Sequence, residues 1–381
     1  MWQLYNENVM NALDKISSKS VQAVVTSPPY WRLRNYEISP TIWGGEENCK
    51  HDFNDNMLCS KCGAWQGSLG MELLPDCLGW ATGERCNICY VCNLTNVFKK
   101  IKRVLRDDGT IWLNLGNSYN GKVKKANLPD NLKGVQAKQK DVLPIAWLVG
   151  MSLQADGWYL RSDVIWGKPN HVPESVKDRP TKNHEYVLFM SLSPSYYYDS
   201  EAIKEIAQHD GRKDNTTKGS HKYKDGVVPG QARQTMAKKG SIRWQQNEHG
   251  EYVKNRRSIW WIPTRSHHNM HSAVFPPDLA KMCILAGTSN YACEHCGSPW
   301  ERAVVREQDD NSCVIKTAGW VPTCKCFNQG EGRSIVLDPF AGSGTTMEVA
   351  KQLGRKSIGI ELSPKFCSYI EERLQKPEQT R

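Results

Sequence analysis

Three groups of residues in this 381-residue chain have the types and spacing to do chemistry. The first runs from Val336 to Thr346, where apolar residues lead straight into Asp338-Pro339-Phe340-Ala341-Gly342-Ser343-Gly344-Thr345-Thr346. Glycines in such a turn let a ligand approach the backbone, and a helix starting there presents unpaired amide donors. Glu361 follows at the end of the next apolar run, the position at which a carboxylate holds a ribose hydroxyl. No Gly-Lys-Ser or Gly-Lys-Thr follows the glycines, which excludes a P-loop. The second group is Ser27-Pro28-Pro29-Tyr30, after the apolar stretch Val21–Val25. Two prolines end any strand that enters them. The Ser27 hydroxyl and the Pro28 carbonyl are hydrogen-bond acceptors that could take both protons of an aromatic amine. Drawing on both protons pushes the nitrogen towards tetrahedral geometry and frees a lone pair otherwise delocalised into the ring. Tyr30 could stack on the base that carries the amine.

The third group is made of cysteines, of which there are 14. In a reducing compartment, cysteines at short spacing are metal ligands before they are disulfides. Cys49, His51, Cys59 and Cys62 make one set of four. Cys77, Cys86, Cys89 and Cys92 make a second, in which Cys77 stands apart, and Cys293, Cys296, Cys324 and Cys326 a third. Closed sets of this composition are tetrahedral and structural, so two or three structural Zn2+ sites are expected. An iron–sulfur cluster is the alternative for the second set. Cys283, Cys313 and Cys367 remain as ordinary thiols.

These groups need elements to carry them. The opening residues suggest a short amphipathic helix and then the Val21–Val25 strand. A helix over Leu94–Leu105 turns at Asp107-Asp108-Gly109 into a strand over Thr110–Leu115, an α/β unit. A helix over Asp141–Ala155 and strands at Val164–Trp166 and Tyr186–Met190 follow. After an apolar helix over 275–287, the chain closes with a strand at Ser334–Leu337, the glycine turn, a helix over Met347–Leu353 and a strand at Ser357–Ile360.

Taken together, Ser27-Pro28-Pro29-Tyr30 and Phe340-Ala341-Gly342-Ser343-Gly344 resemble the DNA amino-methyltransferases, in which an [S/N/D]PP[Y/F] tetrapeptide faces an FxGxG-type loop for the methionine cofactor. The tetrapeptide comes first here, as in the β group of that family. GTIWLNLG at Gly109–Gly116, IWGKPN, DRPTKNHEYVLF and YYYD within Ser162–Asp199, and residues 271–288 are similar to the same group. The resemblance implies a Rossmann-like α/β sheet in permuted order, catalytic loop first, binding S-adenosylmethionine, with zinc knuckles inserted. It implies Ser27, Pro28, Pro29 and Tyr30 as catalytic residues. It implies Thr26, Phe275, Pro276, Asp338, Pro339, Phe340, Ala341, Gly342, Ser343, Gly344, Thr345, Thr346 and Glu361 as cofactor-binding. The implied division is a catalytic half at 1–198 with a knuckle insertion at 45–93, a target-recognition segment at 199–260, and a cofactor half at 261–381 with a second insertion at 291–327.

A serine at the first tetrapeptide position is commoner among N4-cytosine enzymes, and aspartate or asparagine among N6-adenine enzymes, so N4 of cytosine is the expected target and N6 of adenine the alternative. C5 chemistry needs a thiolate, usually after a proline, and no proline here precedes a cysteine. A reading from a different class is a zinc-stabilised DNA-binding protein without activity; intact loops at both positions count against it.

The net charge of +10 suits a polyanionic partner. Arg212, Lys213, Lys218, Lys222, Lys224, Arg233, Lys238, Lys239, Arg243, Lys254, Arg256 and Arg257 crowd one polar segment that could contact phosphates. Double-stranded DNA is the expected partner, with a cognate restriction endonuclease in a restriction–modification setting; the oligomeric state, monomer or homodimer, stays open. Residues 1–16 lack the pattern of a secretory signal, and no stretch approaches the roughly 18 apolar residues of a membrane span, so the cytoplasm is the expected location.

Overall fold

The apolar strand expected after residue 20 lies at the centre of an eight-stranded sheet in the computed structural model. The model describes residues 1–33, 38–83, 86, 88–120, 137–207, 244–247, 249–265, 275–308, 312–326 and 330–376. The eight strands are β1 (Trp2–Tyr5), β2 (Val21–Thr26), β3 (Leu105–Leu115), β4 (Tyr159–Gly167), β5 (His184–Ser191), β6 (Ile259–Trp261), β7 (Ile335–Asp338) and β8 (Lys356–Ile360). They lie in the order β1-β8-β7-β2-β3-β5-β4-β6. From β1 to β3 every pairing is parallel; β5 runs antiparallel to both β3 and β4, and β6 is parallel to β4.

Alternation within the strands divides the core between two faces. Val24, Ile111, Leu113 and Leu115 point to one, under helices Val9–Lys15, Tyr90–Val104 and Ile145–Ala155. Val25, Trp112, Val187 and Phe189 point to the other, under helices Pro277–Gly287 and Thr345–Gln352. Trp112 stacks on Phe189 with ring centres 4.2 Å apart, and a side chain on Gly287 would strike its indole nitrogen. With both faces covered by helices, the fold is the Rossmann-like α/β architecture, with the Ser27 loop ahead of the glycine loop in sequence.

Several boundaries differ from the sequence reading. β1 precedes the first helix, as an edge strand held only by β8, some 355 residues later in the chain. The Asp107-Asp108-Gly109 turn is a bulge within β3: Leu105 already pairs with Val21, and pairing resumes at Thr110 opposite Ala23. Helix Tyr90–Val104 begins four residues before the expected start, because the Cys89 sulfur accepts from the Cys92 amide and caps it. Helix Ile145–Ala155 begins after Pro144, since proline supplies no amide to a helix interior, and Val142–Leu143 pairs as a short strand with Ser118–Tyr119.

A second sheet has five strands in the order Glu205–Ile206, Tyr252–Lys254, Trp244–Gln246, Ser312–Val321, Glu301–Gln308. It joins the expected recognition segment to the hairpin inside the 291–327 insertion, so these two parts form one body. Ile259 and Trp260, at the end of the expected recognition segment, form β6 of the central sheet together with Trp261. Among the described residues, no helix is long and apolar enough to cross a membrane.

Candidate active site

β2 and β7 are parallel neighbours, with Val336 beside Ala23 and Leu337 beside Val24, so the loops that follow them leave the same edge of the sheet. Open α/β sheets bind ligands at that edge. The two loops are bonded to each other: Thr26 Oγ1 donates to Asp338 Oδ1 at 2.6 Å, and Thr346 Oγ1 to the Val25 carbonyl at 3.3 Å. Asp338 also accepts from the Phe340 amide at 3.1 Å. Burial pushes its carboxyl up to about 6.

The glycine turn is built for close approach. Gly342 has φ +52°, and among the described residues a Cβ there would have only the Phe340 carbonyl, 3.9 Å away, within reach. Gly344, at φ +75°, caps helix Thr345–Gln352 and lies against Ile370, which a Cβ would meet at 2.9 Å. Glu361, at the end of β8, accepts from the Gly342 amide through one oxygen and from the Ser363 amide through the other, each at 2.8 Å. Burial pushes its carboxyl up to about 6 as well.

Ser27, Pro28, Pro29, Tyr30, Asp338, Pro339, Phe340, Ala341, Gly342, Ser343, Thr345, Thr346, Glu361 and Phe275 all line one cleft of about 260 Å³. Thr26, Pro276 and Gly344 do not line it. Thr26 is buried beneath it against Asp338, Pro276 caps helix Pro277–Gly287, and Gly344 sets the turn.

Among the lining residues that sequence did not single out, Asn114, Lys168 and Glu185 form a polar network around Tyr30. Tyr30 Oη donates to Glu185 Oε2 at 2.7 Å, Asn114 Nδ2 reaches both of those oxygens at 2.8 Å, and Ser27 Oγ donates to Tyr30 Oη at 3.4 Å. Lys168 forms a largely buried ion pair with Glu185 and sits 4.4 Å over the Trp166 ring. Burial holds the Tyr30 hydroxyl well above its usual value, so it stays protonated. The available signal was a polar residue beside an apolar stretch: Asn114 after Ile111–Leu113, Glu185 before Tyr186–Met190 and Lys168 after Val164–Gly167.

Each of the three cysteine sets is assembled by the fold, its four ligand atoms lying within 4.8 Å of one another. Zinc–sulfur bonds of about 2.3 Å in a tetrahedron place sulfurs roughly 3.8 Å apart. The Cys49 and Cys59 sulfurs are 3.9 Å apart, those of Cys77 and Cys92 3.5 Å, and Cys62 Sγ lies 3.3 Å from His51 Nδ1. Cys77, remote in sequence, closes the second set. Of the basic segment, Arg212 to Arg243 lies outside the described residues. Within them, Lys254 and Arg257 pair with Glu205, and Arg256 donates to the Ile203 carbonyl.

A family model described as DNA methylase matches residues 21–372. The Type II methyltransferase M.SmaI of Serratia marcescens is 31% identical over 374 residues, which cover 95% of this chain and 87% of that protein. The Type II methyltransferase M.Cfr9I of Citrobacter freundii is 30% identical, over 98% of this chain and 87% of that protein. Among solved structures, the cytosine-N4-specific PvuII DNA methyltransferase is similar with a TM-score of 0.51 and 15% identity, over 100% of this chain and 88% of that one. That last likeness is one of fold.

Proposed function

The chain belongs to the N6/N4 DNA methylase family, and from that premise we propose that it transfers a methyl group from S-adenosylmethionine to the N4 amine of a cytosine flipped out of duplex DNA. The single observation that carries the reading is the meeting of Ser27 and Pro28 with the Gly342 loop and Glu361 in one cleft. The groups present fit the methyl donor. Glu361 is a buried carboxylate beside a glycine whose Cβ position is open, and Phe275 provides an apolar surface nearby. Bound there, S-adenosylmethionine would supply an electrophilic methyl on its sulfonium. Glu361 would hold the ribose hydroxyls, and Phe340 and Phe275 would exclude water from the donor.

The Tyr30 network favours Ser27 as an acceptor. Glu185, paired with Lys168, cannot donate, so the Tyr30 proton points to it. Tyr30 Oη is then left to accept from Asn114 and from Ser27. With its own proton turned towards Tyr30, Ser27 offers lone pairs to the amine, and the Pro28 carbonyl takes the second amine proton. The Tyr30 ring stacks on the flipped base. Positioning of this kind supplies most of the rate, and the proton leaves after transfer from a strongly acidic alkylated amine.

Glu185→Gln leaves one acceptor oxygen where Glu185 gave two, and turns an amide donor against Lys168 or Tyr30. Turnover is expected to fall about tenfold, as removal of one charged hydrogen bond implies, with donor affinity unchanged. Equal loss of both in steady-state kinetics and calorimetry would make Glu185 a structural residue only.

Ser27 at the head of the tetrapeptide supports N4 of cytosine over N6 of adenine. The three cysteine sets are proposed to hold structural zinc, outside the reaction. The Type II relatives support a cognate endonuclease as partner, and reduced thiol ligands are in keeping with the cytoplasm. The test is mass spectrometry of nucleosides from unmethylated DNA incubated with the protein and labelled S-adenosylmethionine. N4-methylcytosine is expected; N6-methyladenine would correct the base, and no labelled nucleoside on any DNA would overturn the substrate class.

A further inference from the structure

The first cysteine–histidine set leads into the cleft. Of residues 49–62 only Cys59 is buried, so this loop has no apolar core of its own. It is fused to the strand Trp65–Gly67: the Cys59 amide donates to the Ala64 carbonyl at 2.7 Å, the Gln66 amide to the Met57 carbonyl at 2.8 Å, and Leu58 bridges Trp65. That strand pairs antiparallel with Thr41–Trp43, and the Trp43 indole donates to the Gly67 carbonyl at 3.0 Å. Gly45 lies against the ligands as well, since a Cβ there would come within 2.8 Å of Cys62 Sγ. The segment then turns into the catalytic loop. The Arg32 amide donates to the Gly70 carbonyl at 2.6 Å, and a Cβ on Gly70 would lie 3.2 Å from Pro29 Cβ and from the Tyr30 carbonyl. Ile38, Thr41, Trp43, Ser68, Leu69 and Met71 line the cleft.

The third set sits elsewhere. Gly297 and Cys296 dock through their carbonyls onto Gln22, at the start of β2, and Arg106, the opposite end of that strand from the cleft. The second set is built into the cap of helix Tyr90–Val104, with Cys89 and Cys92 buried.

We propose that a metal ion held by Cys49, His51, Cys59 and Cys62 fastens the wall of the cleft that receives the target base, so that acceptance of the base depends on it and binding of the methyl donor does not. A loop of 14 residues without a core is ordered by its ligand bonds, and their free energy is then the folding free energy of what it holds. What it holds is the hairpin 41–67 and, through it, residues 68–71 against Pro29 and Tyr30. The proposal rests on the methyltransferase reading for the identity of the base, but not for the mechanics of the wall.

The test uses the full chain, loaded with zinc, and two variants, Cys62→Ser in the first set and Cys296→Ser in the third. Metal content is measured by elemental mass spectrometry, backbone opening by amide hydrogen exchange, donor affinity by calorimetry and transfer by labelled methyl incorporation. Cys62→Ser is expected to lose one equivalent of zinc. Exchange in 41–69 should rise at least tenfold while that in 335–362 is unchanged, and turnover should fall 30-fold or more with donor affinity within twofold. Cys296→Ser should lose one equivalent without opening 41–69. Should Cys62→Ser fail to fold, His51→Asn, at a half-buried ligand, carries the same comparison. Zinc retained in full, zinc lost with 41–69 still protected, or protection lost equally across 335–362 would each overturn the proposal. If the parent chain methylates no DNA, the functional reading falls, while the exchange pattern still decides the role of the metal.

Discussion

Ser27→Ala is expected to lower turnover at least a hundredfold while affinity for S-adenosylmethionine stays within twofold. The amine of cytosine is a poor nucleophile until its lone pair is withdrawn from the ring, and in this cleft two acceptors can do that, Ser27 Oγ and the Pro28 carbonyl. Loss of one such aimed hydrogen bond in a water-poor site raises the barrier by about 3 kcal/mol, and each 1.4 kcal/mol is tenfold in rate. In the proposed reading the donor is held by a different set of residues across the cleft, the Gly342 turn and Glu361, so its binding has no reason to change. Single-turnover methyl transfer and donor calorimetry on the same preparation separate the two effects. A fully active Ser27→Ala protein would remove the hydroxyl from the mechanism. Tyr30→Ala should behave alike, through loss of stacking and of the partner that turns the Ser27 proton away.

Glu361→Ala is expected to weaken donor binding by about 50-fold, the effect of about 2–3 kcal/mol for hydrogen bonds to a charged group. A pH profile gives the sharper test. Burial raises the Glu361 carboxyl to about 6. Hydroxyls donating to it favour the ionised form, so binding draws the group's titration downwards. Donor affinity should therefore be full above about pH 7 and decline as pH falls through 6. Asp338, raised to about 6 in the same cleft, contributes to that decline. Glu361→Gln should be weaker at pH 8 and show a shallower fall below pH 6, because position 361 no longer titrates. An unchanged profile would exclude Glu361 from the donor site.

The residues visible in the sequence were those whose chemistry is local. A proline pair after an apolar run, glycines before a helix with an acid one strand later, and cysteines two residues apart each suggest a role within a few positions. The centre of the sheet was legible for the same reason, since β2, β7 and β8 are short, mainly apolar runs. What stayed hidden depends on distant partners. Trp2–Tyr5 is a strand only because β8 accepts it, and Ser312–Val321 only because Glu301–Gln308 and Trp244–Gln246 flank it. Asn114 and Glu185 come from two strands and Lys168 follows a third, and their shared purpose appears only when those strands lie side by side. The Asp107-Asp108-Gly109 turn was misread because a bulge and a turn use the same residues; the pairing of Leu105 with Val21 decides between them.

The pairing of β1 with β8 and of β2 with β7 orders events during synthesis. The Tyr5 carbonyl receives the Glu361 amide, and Asn6 reaches the Glu361 carbonyl, so the pocket's acid is fixed by residues made more than 350 positions earlier. Until residues 335–361 leave the ribosome, β2 has an open edge and Thr26 lacks the aspartate it bonds. A nascent chain thus carries its proposed catalytic loop long before it can form the proposed donor site. Where a nuclease is made alongside, the delay before this chain's first methylation includes the time taken to translate from Thr26 to Glu361.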